Sequence, residues 1–143
     1  MQPVHRSVPS KLLKLQHELE RPPYNLWLGA KAVSLDETRR TVAISLGFRA
    51  ELGYHPEEDI FHGGVLAALA DIAGYASVAI WSTASTPTIS LNVDYLAPAR
   101  GPELIARASV RRLGRSISRS DIEILANEKL VALARGSFSM QER

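Results

Sequence analysis

Asp71 is the one formal charge in the run FHGGVLAALADIAGYASVAIW, residues 61–81. A carboxylate inside so apolar a segment is costly to bury unless it is paired, hydrogen-bonded or protonated. A residue held there against that cost is a candidate general base or nucleophile. Gly63 and Gly64 open the same run. At a helix start the first backbone N–H groups lack intrahelical partners, carry the positive end of the dipole, and accept close approach when no Cβ is present. Such donors can hold an oxyanion, for instance the carbonyl oxygen of an ester or thioester under attack by water. The residues also admit plainer roles. Two glycines suit a tight turn into a helix, and an aspartate can hydrogen-bond a neighbouring loop.

Spacing adds a constraint. Asp71 lies eight residues beyond Gly63, so on one helix the two backbones are about 12 Å apart. One carbonyl cannot touch both in a single chain. Two copies of the helix laid antiparallel across a two-fold axis would set Asp71 of one against Gly63 of the other. The expectation is a homodimer with two shared sites. A half-buried interface would also raise the pKa of Asp71 and make it a better base.

The elements that position these groups follow from periodicity. Residues 65–81 are too long and Ala-rich for a strand and apolar on nearly every side, which predicts a helix wrapped by the rest of the fold. Asp71 near its centre would cost about 2.5–3.5 kcal/mol in a bilayer, so no membrane span is expected. Ahead of it, residues 10–21 predict a helix capped by Ser10 and stopped by Pro22-Pro23. Residues 27–35 and 39–48 predict two strands around the turn Asp36-Glu37-Thr38, and residues 50–60 a loop. Behind it, TISLNVDYL alternates with Ile89, Leu91, Val93 and Tyr95 on one face and Thr88, Ser90, Asn92 and Asp94 on the other. Strands over 103–112, 117–125 and 130–138 follow, joined by hairpin-length turns that imply antiparallel pairing. The fold class is α+β: five or six antiparallel strands around one long helix.

Composition bounds the function classes. The chain has 143 residues, 45% hydrophobic and 22% charged, with a net charge of +2, as expected of a single globular domain with its own core. That charge is too small for a nucleic-acid surface. With no cysteine, disulfides and thiolate metal sites are excluded, which fits a cytoplasmic location. The N-terminus lacks the apolar core of a secretory signal. Of four histidines only His55 and His62 lie near each other, so no metal site is expected.

HGGVLAALADIAGYA, then TISLNVDYLAPA, then RLGRS and a closing KLVALARGSF together resemble the hotdog-fold acyl-CoA thioesterases of the phenylacetic-acid-degradation (PaaI-like) group. The resemblance spans roughly residues 40–140, so residues 1–25 read as a helical extension and 26–143 as the hotdog domain. It implies dimers, often paired into tetramers, that hydrolyse acyl- or aryl-CoA thioesters without metal or prosthetic group. Asp71 would then activate water or attack the carbonyl, the Gly63 N–H would hold its oxygen with Gly64 close to the substrate, and Thr88 would help orient the water. His62 would contact the substrate or hold the loop through backbone hydrogen bonds. The turn after residue 110 implies a grip on CoA phosphates by Arg112, Gly114, Arg115 and Ser116. One departure stands out: relatives often carry Asn or Gln six or seven residues before the motif's histidine, where this chain has His55 and Pro56. Either His55 substitutes or that contact is missing.

Two other functions compete with hydrolysis. A hydratase or dehydratase of acyl thioesters would need a histidine paired with an acid in a differently spaced motif. A non-catalytic acyl-CoA-binding module would keep the fold without the chemistry.

Overall fold

The computed structural model describes residues 10–141. Ser10 caps α1 (Lys11–Glu20), its side chain accepting from the Leu13 N–H. The Pro22-Pro23 pair that stops α1 also starts another helix. Proline suits the first helical position, and α2 (Pro23–Leu28) runs until Gly29 takes the left-handed conformation at φ 84°. The strand expected from Trp27 therefore begins later, as β1 (Lys31–Asp36), and Trp27 belongs to α2. β2 (Thr41–Gly47) follows as expected.

The expected loop over 50–60 is more ordered than its polar composition suggested. It holds a single 3-10 turn (Ala50–Leu52) and a two-stranded hairpin, β3 (Gly53–His55) and β4 (Glu58–Phe61). Pro56 sits in the turn between these strands, where a missing N–H costs no ladder bond. The central helix, α3 (Gly63–Ala79), comes next. The rest is strand: β5 (Thr88–Tyr95), β6 (Glu103–Arg112), β7 (Ile117–Ala126) and β8 (Lys129–Ser139).

The main sheet has six strands in the order β1-β2-β6-β7-β8-β5, every neighbour antiparallel. Asn127 and Glu128 at φ 47° and 62° make the tight turn between β7 and β8, a backbone shape that follows strand twist. Ala106, Ala108, Ala132 and Ala134 line the inner face with Ile44, Ile122, Ile124 and Phe138, all buried. These small side chains let α3 sit close. A Cβ at Gly74 would stand 2.8 Å from Phe138 Cζ and 3.1 Å from Ile122 Cδ1, so the residue is glycine because the sheet is there. α1 joins this core through Leu15 and Leu19, both buried.

The wrap around α3 is incomplete. Leu66, Leu69, Ala70, Ala73 and Ala76 are buried, but Gly64 is exposed and Ala67, Ala68, Asp71 and Tyr75 are half-buried. These five fall on one helical face, a shallow stripe open in the single chain.

Candidate functional site

The site is built on the start and open stripe of α3. β4 delivers the chain into the helix with Phe61 N–H donating to Ala99 O (2.9 Å) and His62 N–H to Leu52 O (2.8 Å). His62 is the N-cap, and its Nδ1 accepts from the Gly64 N–H at 2.8 Å. Val65 N–H donates to His62 O. Among the described residues the Gly63 N–H has no hydrogen-bond acceptor, so it is the free donor of the first turn. Tyr95 lies against Gly63, its hydroxyl donating to Gly63 O at 2.9 Å, which fixes the orientation of the following peptide. Tyr95 was legible only as a member of an apolar strand face.

Asp71 is two turns along. Its Oδ1 accepts from Thr88 Oγ1 at 2.6 Å, which locks the carboxylate rotamer. Strict alternation would have put Thr88 on the outer face with Ser90, and the structure corrects this. The β5–β8 register shifts between Thr88 and Ser90, so Thr88 pairs with the inward Phe138 while Ser90 pairs with Ser137. A bulge re-aims one side chain without turning the strand over. Thr88 therefore shares the helix-facing side with Leu91, Val93 and Tyr95 and reaches Asp71.

The remaining expected residues fall into two groups. At the β6–β7 connection Arg112, Arg115 and Ser116 are exposed. Gly114 has a structural reason to be glycine: a side chain there would collide with the Ile117 carbonyl, and its N–H donates to Ser118 Oγ at 3.0 Å. Ser118, Phe138 and Thr88 form one row across β7, β8 and β5. This turn thus borders the same end of the sheet as Thr88, two strand spacings or about 10 Å away. His55 is exposed at the β3–β4 tip, and its Nδ1 accepts from the Glu57 N–H at 3.2 Å. One chain brings Asp71 to Thr88 and His62 to Gly64. It does not bring Asp71 to Gly63.

Beyond Asp71 the stripe ends at Tyr75. Its hydroxyl donates to Glu18 Oε2 on α1 at 3.0 Å, a contact no sequence signal announced. Burial and the adjacent Glu18 carboxylate both hold the phenol above its ordinary pKa. Among the described residues no group of three His, Cys, Asp or Glu side chains is placed to hold a metal ion.

The arrangement is a carboxylate fixed by a hydroxyl and, on the same open face, an unengaged main-chain donor at a helix start. A family model, Thioesterase superfamily, matches residues 58–132, the stretch that contains both. The chain belongs to the thioesterase superfamily. A Halobacterium salinarum protein provisionally named an esterase is 37% identical over 117 residues, covering 72% of this chain and 76% of that one. A solved thioesterase-superfamily structure superimposes with a TM-score of 0.84 at 30% identity, covering 92% of this chain and 98% of that one. A variant of the phenylacetic acid degradation protein PaaI from Thermus thermophilus gives 0.71 at 28% identity, over 83% and 99%. A Haemophilus influenzae thioesterase gives 0.78 at 25% identity, over 90% and 88%. The hotdog fold is thus established for this superfamily member, an enzyme of the thioester-hydrolysing class whose solved neighbours include a PaaI protein. The superfamily match excludes α1 and α2 and begins at β4.

Proposed function

We propose that the protein is an acyl-CoA thioesterase whose site is shared between two protomers. Asp71 takes a proton from water as the water oxygen attacks the thioester carbon. The oxyanion that forms is held by the Gly63 N–H of the partner protomer, the C–S bond breaks, and the sulfur leaves as thiolate to collect a proton. In the covalent variant Asp71 itself attacks, expels the thiolate and leaves a mixed anhydride for water to cleave. Thr88 fixes one carboxylate oxygen in either case. Arg112, Arg115 and Ser116, at the same end of the sheet, are the candidate contacts for CoA phosphates, which guanidinium groups suit.

The observation that carries the reading is the 2.6 Å Thr88–Asp71 hydrogen bond on an open face of the helix whose first N–H is unengaged. Dimerisation is supported by what the single chain leaves uncovered. The stripe on α3 is open, β5 is an edge strand, and Ile89, Tyr95 and Leu96 beside it are 56%, 54% and 52% exposed. Unpaired edges and apolar patches of this kind mark association surfaces. A second such contact would make the dimer of dimers that the family resemblance implies. No described helix is long and apolar enough to cross a membrane, and a CoA thioester as substrate supports a cytoplasmic location.

A panel of CoA thioesters with free-thiol detection tests the reaction. Thiol release is expected from the native protein and not from Asp71→Asn at unchanged oligomeric state. Hydration of an enoyl-CoA without thiol release would instead show a hydratase. Tight binding of thioesters without turnover would show a binding module, the reading favoured by the involvement of His55 in its own turn.

A further inference from the structure

Charge on the outer face of the sheet is unevenly placed. The β6–β7 register shifts between Val110 and Arg112, and a bulge of this kind sets two consecutive side chains on one face. Arg111 reaches Asp121 there, and Arg112 stands opposite the exposed Arg119. Like charges directly opposite each other on neighbouring strands are destabilising. No described carboxylate forms an ion pair with Arg112 or Arg119. Their row continues into Ser137 and Ser90, so it holds two guanidinium groups, two hydroxyls and no acid. In the next row Asp121 fixes two more arginines. It accepts from Arg135 Nε at 2.6 Å and Nη2 at 3.1 Å, and from Arg111 Nε at 3.0 Å. Arg111, Arg119 and Arg135 line an open groove of about 710 Å³. The other acids of that groove, Asp94 and Glu123, lie one row further on, where Arg107 stands opposite Glu123. Four arginines thus share a single carboxylate at the end of the sheet nearest the β6–β7 turn.

We propose that this end of the groove is a binding site for a phosphate or diphosphate group, held by Arg111, Arg112, Arg119 and Arg135. Guanidinium groups meet phosphate oxygens through paired N–H donors. Asp121 pins the stems of Arg111 and Arg135 and leaves further N–H groups on each for a ligand. A phosphate seated beside them would offset the excess charge and relieve the Arg112–Arg119 repulsion. Asp71 lies behind the sheet, on the α3 side, so the site is separate from the carboxylate. Two sources supply this ligand chemistry. One is the nucleotide end of a CoA thioester, reached round the β6–β7 turn, and this source alone rests on the proposed reaction. The other is a separate phosphorylated small molecule.

The probe is pyrophosphate, titrated calorimetrically into the native protein, Arg119→Gln, Arg112→Gln/Arg119→Gln and Arg107→Gln. Ionic strength is held low and constant, because salt screens exposed charges. The native protein is expected to bind. Arg119→Gln is expected to weaken Kd roughly tenfold or more, the worth of a hydrogen bond to a charged group, and the double variant to weaken it further. Arg107→Gln, whose charge stands in the row beyond, should bind as the native protein does. All these positions are exposed, and an unchanged thermal midpoint shows that each variant is folded. No binding by the native protein, an unchanged Kd in Arg119→Gln, or equal weakening in Arg107→Gln overturns the proposal. So does a change of oligomeric state in Arg119→Gln when the native protein binds no pyrophosphate, which would make this face a contact between copies. Competition then identifies the source. Displacement by CoA, with KM raised in Arg119→Gln for a CoA thioester and not for the matching pantetheine thioester, supports the site as the seat of the substrate's nucleotide end. Pyrophosphate binding that persists at saturating CoA supports it as the seat of a separate ligand. Binding is read without turnover, so absence of thiol release would count against the hydrolysis and not against this site.

Discussion

At the scale of single residues, the weight falls on Asp71. Replacing it by asparagine keeps the shape and the Thr88 contact but removes the base, and a positioned general base contributes about 10²–10⁴-fold. Asp71→Asn is therefore expected to lower kcat by at least about 100-fold, with a thermal midpoint close to native. A collapse of stability instead of rate would show a structural aspartate. Tyr95→Phe removes one hydrogen bond to Gly63 O, a loss of about 1 kcal/mol, and should lower kcat with KM nearly unchanged if that bond holds in place the helix start that presents the Gly63 N–H. An equal loss in KM would mean Tyr95 serves substrate binding. Asp71, Gly63 and His62 were legible because their types conflict with, or punctuate, an apolar run. Tyr95 and Tyr75 were not, because an aromatic residue at helical or strand spacing reads first as core. Thr88 was reachable only through the resemblance, since strict alternation faces it outward and the bulge that turns it inward leaves no mark in the residue pattern.

Among the elements, long periodic segments were the legible ones. α3 and the four strands behind it lie where apolar spacing put them, because burial on one face leaves a repeating signature in the residues themselves. Trp27 was misplaced because Pro22-Pro23 reads as a stop, and its second use, opening α2, depends on the residues after it rather than on local preference. The β3–β4 hairpin was missed because its strands are too short and polar to alternate. The closeness of α3 to the sheet predicts a further outcome. Phe138 is hemmed in by Gly74 and by Gly136, where an added Cβ would stand 2.6 Å from its ring. Gly74→Ala should cost about 1–3 kcal/mol through overpacking, read as a lower urea midpoint, and Phe138→Leu in the same chain should recover part of the loss. A neutral Gly74→Ala would show that helix and sheet pack more loosely.

For the whole molecule, the inner sheet face and α3 form the hydrophobic core, and the outer face adds a charged cluster. On the outer face Asp121 joins three strands, accepting from Arg135 Nε at 2.6 Å and Arg111 Nε at 3.0 Å. The Arg135 hydrogen bond, with Arg111 behind it, holds the Asp121 carboxyl below its ordinary pKa. A depressed folded-state pKa contributes stability above the unfolded value, and that contribution is lost as pH falls through the folded one. The stability difference between native protein and Asp121→Asn should therefore be present at neutral pH, at about 0.5–1 kcal/mol for so exposed a cluster, and vanish under strong acid. A difference that persists there would assign it to packing. On α3, the proposed pairing of Asp71 with a Gly63 N–H eight residues away on the same helix requires two chains for one site. Proline tolerates the first helical position, so Gly63→Pro deletes the N–H and spares α3, just as Asp71→Asn spares it while deleting the base. Each variant alone should be inactive. Mixed after dissociation and reassembled, they should regain about a quarter of native turnover, because random pairing makes half the dimers mixed and each mixed dimer holds one intact site of two. Mixtures that stay as inactive as the separate variants would contradict a site shared between protomers.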